Sequence, residues 1–315
     1  LGAASATAGA MIAHQHRAST GLGQHVDASC QQAAARTLSH APQYWDLSKI
    51  NLKRQGPFRP IGEGRALRVN WECADGYVNF IQPGSVVGVH TLPSLELTRA
   101  GPEPAMKELG RAYRRVADVC GDRFLVMLGG EHSISSPAVL AQAARHEERL
   151  TVLQMDAHAD LRGEFEGTRD SHASAMTRVL ERADVCAVGV RGVSQEEIDV
   201  SRASSGSTLI WADDMWEDDT WMDRALDALG PKVYLTFDVD YFDPSLVPST
   251  GTPEPGGGDW YRTLRFLKRV FAERDVIAAD VVELAPTPGL YAPDFLVAKL
   301  VYKIISYRFQ RRLTE

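Results

Sequence analysis

Acidic and imidazole side chains stand two residues apart directly after two apolar stretches of the chain. Asp156, His158 and Asp160 follow one stretch, and Asp238 and Asp240 follow the other. Alternate residues of an extended backbone point to the same side, so each set can converge on one point. Carboxylate oxygens and imidazole nitrogens bind hard or borderline divalent cations, and several shared carboxylates favour a pair of ions over one. The spacing therefore predicts a site for a pair of metal ions.

From about residue 123 onward, short apolar runs alternate with amphipathic stretches. This alternation is typical of parallel strands joined by helices that cover both faces of the sheet. We therefore predict an α/β protein with three α/β/α layers and a mainly parallel sheet. The predicted strands span 124–128, 150–155, 185–190, 208–211, 233–237 and 276–282, and the predicted helices span 138–148, 173–182, 221–229, 260–274 and 295–309.

Ligands of parallel α/β sheets bind at the carboxyl ends of the strands, and this rule connects the separate motifs. His132 follows the first predicted strand and Glu283 follows the last, so both are expected at the same crevice as the Asp and His sets. The segment 250–258 is rich in Gly and Pro and predicts a shaped loop over that crevice.

The composition excludes several classes of protein. Lys and Arg number 34 against 41 Asp and Glu, so the net charge of -7 argues against a nucleic-acid partner. No stretch approaches ~18 uninterrupted apolar residues, so no membrane span is predicted. The four cysteines are scattered without a C-x-x-C pair, which favours reduced cysteines in a cytoplasmic protein.

Six motifs occur in an order that resembles the ureohydrolase family, the arginase and agmatinase group, over about residues 95–310. The resemblance is closest to the agmatinases and implies the arginase-like fold. The motifs are Gly129-Gly130-Glu131-His132-Ser133, Asp156-Ala157-His158-Ala159-Asp160, Ser171-His172-Ala173-Ser174, Asp238-Val239-Asp240 with Asp243-Pro244, Gly251-Thr252-Pro253-Glu254, and Asp280-Val281-Val282-Glu283.

The resemblance implies two Mn²⁺ ions per subunit, bridged by a hydroxide that attacks a guanidinium carbon. Mixed carboxylate and imidazole ligands suit Mn²⁺ better than metals that seek thiolates. The ligands it implies are His132, Asp156, Asp160 and Asp238 for one ion, and His158, Asp156, Asp238 and Asp240 for the other.

Three residues receive further roles by the same resemblance. Glu283 is expected to bind the guanidinium by charge-assisted hydrogen bonds, and His172 is expected to bind substrate and relay a proton to the leaving amine. Asp160 is expected to assist that proton transfer, whereas Glu131 is expected only to brace its loop. The resemblance also implies a homo-oligomer, a trimer or a hexamer.

The implied reaction is hydrolysis of a linear guanidino compound, with agmatine, giving putrescine and urea, as the first choice. Guanidinobutyrate and arginine remain alternatives, although the loop 161–167 lacks the Asn/Ser pattern with which arginases bind an α-amino acid. Two hypotheses from other classes stay open: a metal-binding but catalytically silent interaction protein, and a deacetylase with a single zinc ion.

The first 88 residues form an atypical N-terminal segment, so we predict domains at 1–88 and 89–315. Residues 1–45 are expected to be helical, 48–70 to be a connector, and 71–80 to be a hairpin with an Asp-Gly turn. This segment resembles a fragment of the family III CoA-transferases in residues 20–29 and 74–78. The catalytic aspartate of that family has no counterpart here, so no such activity is expected.

Overall fold

The computed structural model describes residues 94–310, residues 89 and 92, and the backbone of four short strands between residues 58 and 79. The chain forms two compact units, Leu1–Ser85 and Val86–Glu315, which are described separately. The division into domains after residue 88 stays a prediction.

Two antiparallel hairpins are described in the first unit. Strand β1 (Phe58–Gly62) pairs with β2 (Arg65–Arg68), and β3 (Asn70–Cys73) pairs with β4 (Gly76–Asn79). The second hairpin agrees with the one predicted around the Asp-Gly turn.

The first hairpin falls where the sequence predicts only a connector. That expectation for 48–70 was wrong over Phe58–Gly62 and Arg65–Arg68, because these two segments hydrogen-bond to each other as antiparallel strands. The helical expectation for 1–45 lies outside the described residues.

The second unit contains a six-stranded parallel sheet, which confirms the predicted fold class. Its strand order is β5-β10-β9-β6-β7-β8, and every described pairing within it is parallel. The strands are β5 (Leu125–Leu128), β6 (Thr151–Met155), β7 (Asp184–Val190), β8 (Ser207–Trp211), β9 (Lys232–Asp238) and β10 (Asp275–Val282).

Helices connect these strands. Those that the structure describes are α1 (Pro102–Cys120), α2 (Ser135–Ala143), α3 (Ala175–Leu180), α4 (Gln195–Ala203), α5 (Ala212–Glu217), α6 (Thr220–Ala228), α7 (Trp260–Glu273) and α8 (Ala292–Phe309). Helices α1, α4 and α5 were not predicted. The helix expected at 138–148 begins earlier, since Pro137 is tolerated in a first helical turn, and it ends at Ala143.

Both faces of the sheet are covered by apolar side chains. On β6, Leu153 and Met155 pack with the buried residues of α6, α7 and α8, whereas Val152 packs on the opposite face with residues of α1, α2 and α3. This alternation follows from the two-residue period of a strand and produces the three layers. None of the helices that the structure describes is long and apolar enough to cross a membrane.

Candidate metal centre

All six predicted metal ligands lie at the carboxyl ends of strands of the parallel sheet. Asp156, His158 and Asp160 follow β6, Asp238 and Asp240 stand at the end of β9, and His132 occupies the short 3₁₀ turn after β5. Five of the six are buried, and the His158 side chain keeps 24% of its surface exposed. The strand register therefore concentrates charged groups in the protein interior, which is costly unless a counter-charge is present.

His132 directs one ring nitrogen at three carboxylates. Its Nδ1 atom lies 2.8 Å from Asp160 Oδ2, 3.0 Å from Asp156 Oδ2 and 3.5 Å from Asp238 Oδ2. The same Nδ1 is buried and lacks a hydrogen-bond partner of acceptable geometry, while Nε2 lies 2.8 Å from Thr236 Oγ1. A buried nitrogen without a partner, surrounded by acidic oxygens, fits a bound cation better than a network of hydrogen bonds.

Two groups of three residues can each supply a cation with ligands. One ligand atom from each of His132, Asp156 and Asp238 lies within 4.8 Å of the others, and the same holds for Asp156, His158 and Asp240. His158 Nδ1 is 3.0 Å from Asp240 Oδ2 and 3.6 Å from Asp156 Oδ1. Asp156 belongs to both groups, which is the placement expected of a bridging ligand. Bridging by Asp238 stays a prediction.

Backbone amides orient these carboxylates. The N–H of His158 donates to Asp156 Oδ1 at 2.6 Å, and the N–H of Asp240 donates to Asp238 Oδ1 at 2.8 Å. The N–H of Ala157 donates to Asp240 Oδ1 at 3.1 Å and so connects the ends of β6 and β9. In each case the backbone holds one carboxylate oxygen in place and so fixes the direction of the second.

Two candidate site residues adopt left-handed backbone conformations that non-glycine residues rarely occupy. Asp160 has a φ of 54° and Glu283 has a φ of 66°. Such conformations cost of order 1–3 kcal/mol and concentrate at functional sites, where the surrounding fold enforces them. Both side chains are thereby turned into the same pocket.

Electrostatic interactions shift the pKa values of the ligands strongly. Burial opposes protonation of His158, but Asp156 and Asp240 outweigh it and raise the pKa of His158 to about 11. Burial likewise opposes protonation of His132, and Asp156 and Asp160 outweigh it, so the pKa of His132 is raised well above its ordinary value. The two imidazoles therefore hold protons at the positions where metal ligands are needed, and a metal ion must displace them.

The carboxylates do not all respond in the same way. Burial and the neighbouring Asp156 raise the pKa of Asp160 to about 7, and burial followed by Asp156 and Asp240 raises the pKa of Asp238 well above its ordinary value. For Asp156, burial is outweighed by His132 and His158, and its pKa is lowered. This mutual repulsion among acids is what divalent cations relieve.

An open pocket of about 350 Å³ lies above the ligands and is lined by the three residues with predicted catalytic roles, His172, Glu283 and Asp160. His172 is exposed on one wall, with Nδ1 3.7 Å from Glu131 Oε2 and its ring 5.4 Å from that of Phe165. Glu283 is on another wall, where its Oε1 accepts the backbone N–H of His132 at 2.7 Å. Burial raises the pKa of Glu283, and this hydrogen bond works against that rise. The structure thus brings all eight predicted site residues into one region.

Three polar residues that support the ligands were not assigned a role by the sequence. Gln154, Thr236 and Asp280 are fully buried within apolar strands, and Gln154 Nε2 donates to Asp156 Oδ2 at 2.8 Å. Gln154 and Thr236 each precede a candidate ligand by two residues, so they share its side of the strand. That spacing was the signal that could have revealed them.

The loop 250–258 covers the site as predicted, and Arg191 fixes it. The guanidinium of Arg191 donates to the carbonyl oxygens of Glu254 at 2.9 Å, Pro255 at 3.0 Å and Asp240 at 2.8 Å. Thr252 Oγ1 donates to Asp240 Oδ2 at 3.1 Å. Arg191 therefore joins the loop to a ligand-bearing segment, a role that the sequence did not indicate.

Comparisons with known proteins agree with this geometry. The sequence matches the Arginase family over residues 64–306. It is 41% identical to the N(1)-aminopropylagmatine ureohydrolase of Synechocystis sp. over 187 residues, 59% of this chain and 61% of the relative. It is 31% identical to the agmatinase of Pyrococcus horikoshii over 205 residues, 65% of this chain and 70% of the relative.

A solved structure supports the same relationship. The proclavaminate amidino hydrolase from Streptomyces clavuligerus superposes with a TM-score of 0.61 at 26% identity, covering 67% of this chain and 72% of that one. The chain spans less than two thirds of the length of the Synechocystis relative. With the family match covering most of its length and the expected ligand types at the expected strand ends, this chain belongs to the arginase family.

Proposed function

We propose that the protein hydrolyses a linear guanidino compound to an amine and urea with two Mn²⁺ ions bound per subunit. The observation that carries this proposal is the placement of Glu283 above two ligand groups that share Asp156, in a single pocket. An anionic acceptor for a guanidinium and a site for a pair of cations are the two features that the reaction requires.

The identity of the metal is inferred from the ligand chemistry. All candidate ligands are carboxylate oxygens or imidazole nitrogens, a set that suits Mn²⁺, and among the described residues no cysteine takes part in either ligand group. When bound, two divalent cations acidify a shared water molecule and stabilise negative charge that develops on the substrate. This expectation differs from that of a deacetylase, which requires a single zinc ion.

Glu283 is proposed to orient the guanidinium. Because its Oε1 already accepts the amide of His132, Oε2 remains to face the pocket. A guanidinium N–H that donates to Oε2 would make a charge-assisted hydrogen bond, which orients the planar group and presents its central carbon to the floor of the pocket. The arriving positive charge also favours the ionised form of Glu283, against the effect of burial.

His172 is proposed to transfer a proton to the leaving amine. Its imidazole is partly exposed at the pocket wall, where it can exchange protons with solvent, and its Nδ1 lies 3.7 Å from Glu131 Oε2. Asp160 lies in the same pocket and is proposed to assist, since its side chain already contacts His132 Nδ1.

The charge of the pocket favours a substrate with a cationic tail. Arg162 is the single arginine or lysine among its lining residues, and its charge is balanced by Glu197 at 3.8 Å. Agmatine, which gives putrescine in polyamine biosynthesis, is therefore our first choice, and the name of the Synechocystis relative adds N(1)-aminopropylagmatine. Guanidinobutyrate and arginine carry a carboxylate, which Glu254 disfavours. Glu254 is the one acidic lining residue that is neither a proposed metal ligand, nor the proposed guanidinium acceptor Glu283, nor paired with Arg162 as Glu197 is.

Release of urea from a panel of guanidino compounds tests this proposal. Protein loaded with Mn²⁺ should release urea from agmatine or N(1)-aminopropylagmatine at least roughly 10-fold faster than from guanidinobutyrate or arginine, a difference of about 1.4 kcal/mol. Protein that binds Mn²⁺ but releases urea from none of the four would instead be a silent metal-binding protein.

We further propose that the protein is cytoplasmic and forms a trimer or a hexamer. These proposals rest on the scattered cysteines and on the resemblance to oligomeric ureohydrolases. Light scattering coupled to gel filtration should give a mass of three or six chains, and a monomer would contradict it.

A further inference from the structure

A row of polar side chains crosses three neighbouring strands beneath the metal centre. Gln154 on β6 is in register with Thr236 on β9, and Thr236 is in register with Asp280 on β10. All three side chains are fully buried. Buried polar groups destabilise the fold unless they are hydrogen-bonded, so the role of these three side chains depends on the groups to which they are hydrogen-bonded.

Both oxygens of Asp280 accept hydroxyl hydrogen bonds. Thr236 Oγ1 lies 2.6 Å from Asp280 Oδ1, and Tyr234 Oη lies 2.8 Å from Asp280 Oδ2. The network continues to the buried Tyr113, which lies next to Tyr234. The Tyr113 hydroxyl accepts a hydrogen bond from Gln142 Nε2 at 3.1 Å. Asp280 is thus held on both sides by donors on rigid elements.

The direction of the Thr236 hydroxyl proton determines which ring nitrogen of a neutral His132 carries the proton. Thr236 has one hydroxyl proton, and the carboxylate at 2.6 Å is a better acceptor than the neutral Ser135 Oγ at 3.3 Å. With that proton directed at Asp280, the Thr236 oxygen can only accept from His132 Nε2, 2.8 Å away. The proton on a neutral His132 ring must then sit on Nε2.

We propose that Thr236 and Asp280 are positioning residues that fix His132 with its Nδ1 lone pair directed at the metal. This inference rests on the proposed function in that it takes His132 as a metal ligand. A ligating histidine generally donates its second ring N–H to an oriented acceptor, which fixes its tautomer and increases its basicity. Here the acceptor is a hydroxyl that a buried carboxylate orients in turn.

The second ligand histidine has weaker support. His158 Nε2 lies 4.0 Å from Glu254 Oε1, beyond hydrogen-bond distance, and both side chains are partly exposed. We call the hydrogen-bonded chain from Asp280 through Thr236 to His132 the relay. The relay pre-organises the ligand group of His132, Asp156 and Asp238 more than the group that contains His158. Disruption of the relay should weaken one metal position and leave the other nearly intact.

Metal titration of Thr236→Val and Thr236→Ser tests the relay. Valine has the shape of threonine without its hydroxyl, so one Mn²⁺ should bind roughly 10- to 100-fold more weakly, while serine restores the hydroxyl and the affinity. Isothermal titration and Mn²⁺ electron paramagnetic resonance measure both positions without reference to activity. The matched control is Thr263→Val, since Thr263 is a fully buried threonine whose hydroxyl contacts only Asp259 and Tyr241 among the contacts described.

Three outcomes would overturn the relay. They are wild-type Mn²⁺ affinity in Thr236→Val, equal losses in the valine and serine variants, and the same loss in the Thr263→Val control. If Thr236→Val does not fold, Asp280→Asn decides, because the amide keeps the shape of the acid but removes its charge. It should weaken one Mn²⁺ roughly 10-fold, and unchanged affinity would contradict the proposal. Wild-type protein that binds Mn²⁺ without releasing urea would refute the proposed function but leave the relay to be judged on these affinities.

Discussion

Replacing Gly192 by alanine should displace His158 from the metal centre. A Cβ atom at Gly192 would lie 2.7 Å from His158 Cδ2, 3.0 Å from His158 Nε2 and 3.3 Å from Glu254 Cγ. The backbone cannot easily move away, because the Gly192 N–H donates to the Ala157 carbonyl at 2.9 Å. The imidazole ring must therefore shift.

The size of that shift decides its effect. Ordinary carbon contacts begin at 3.4 Å, so the ring must move by about 0.7 Å, the difference between 3.4 and 2.7 Å. Metal–ligand distances tolerate only about 0.2 Å, and overpacking typically costs 1–3 kcal/mol. We expect Gly192→Ala to bind one Mn²⁺ per chain tightly instead of two and to lose most urea release.

Metal content after dialysis, titration calorimetry and urea release measure these effects. Gly163→Ala is the matched control, because its Cβ would meet only Glu196 Oε1, at an ordinary 3.6 Å. The control should retain both ions and full activity. Two ions bound with wild-type affinity in Gly192→Ala would refute the assigned role of His158.

Three further changes test separate parts of the site and the fold. Glu283→Gln should bind Mn²⁺ normally but lose roughly 10- to 100-fold in kcat/KM for agmatine, because a neutral amide replaces the charged acceptor; unchanged kinetics would remove Glu283 from substrate binding. Raising the pH should strengthen Mn²⁺ binding, because His158, whose pKa is raised to about 11, must release its proton, and calorimetry in two buffers should detect the protons released. In the metal-free protein the raised pKa of His158 stabilises the fold fully below about pH 6.5, the ordinary histidine pKa, and this contribution is lost as the pH rises towards about 11; denaturation midpoints that do not fall with pH would contradict this. Phe266→Ala, which empties a fully buried position beside Trp221, should reduce the free energy of unfolding by about 3–5 kcal/mol without changing the metal count, and a cost below 1 kcal/mol would argue against that packing.

The sequence correctly predicted those strands whose local pattern is typical of a single kind of structure. The runs before Asp156 and Asp238 are mostly apolar at consecutive positions, a pattern typical of central parallel strands, and the carboxyl ends of such strands lie at one edge of the sheet. The structure places the ligands there, in two groups that share Asp156.

The supporting residues depended on contacts between distant segments, which a local pattern cannot show. Arg191 is an ordinary arginine in the sequence, yet it connects residues 49 and 63 positions further along the chain. Helix α1 is an exception that a local pattern could have shown, because its buried residues Met106, Leu109, Tyr113 and Ala117 recur every three or four positions.

The presence of two metal ions held by six strand-end side chains can be measured directly. An anomalous difference map from crystals grown with MnCl₂ should show two peaks in each chain, one contacted by His132 and Asp160, the other by His158 and Asp240, with Asp156 touching both. A single peak, or two peaks bound by other residues, would contradict the assignment of a binuclear site to this chain.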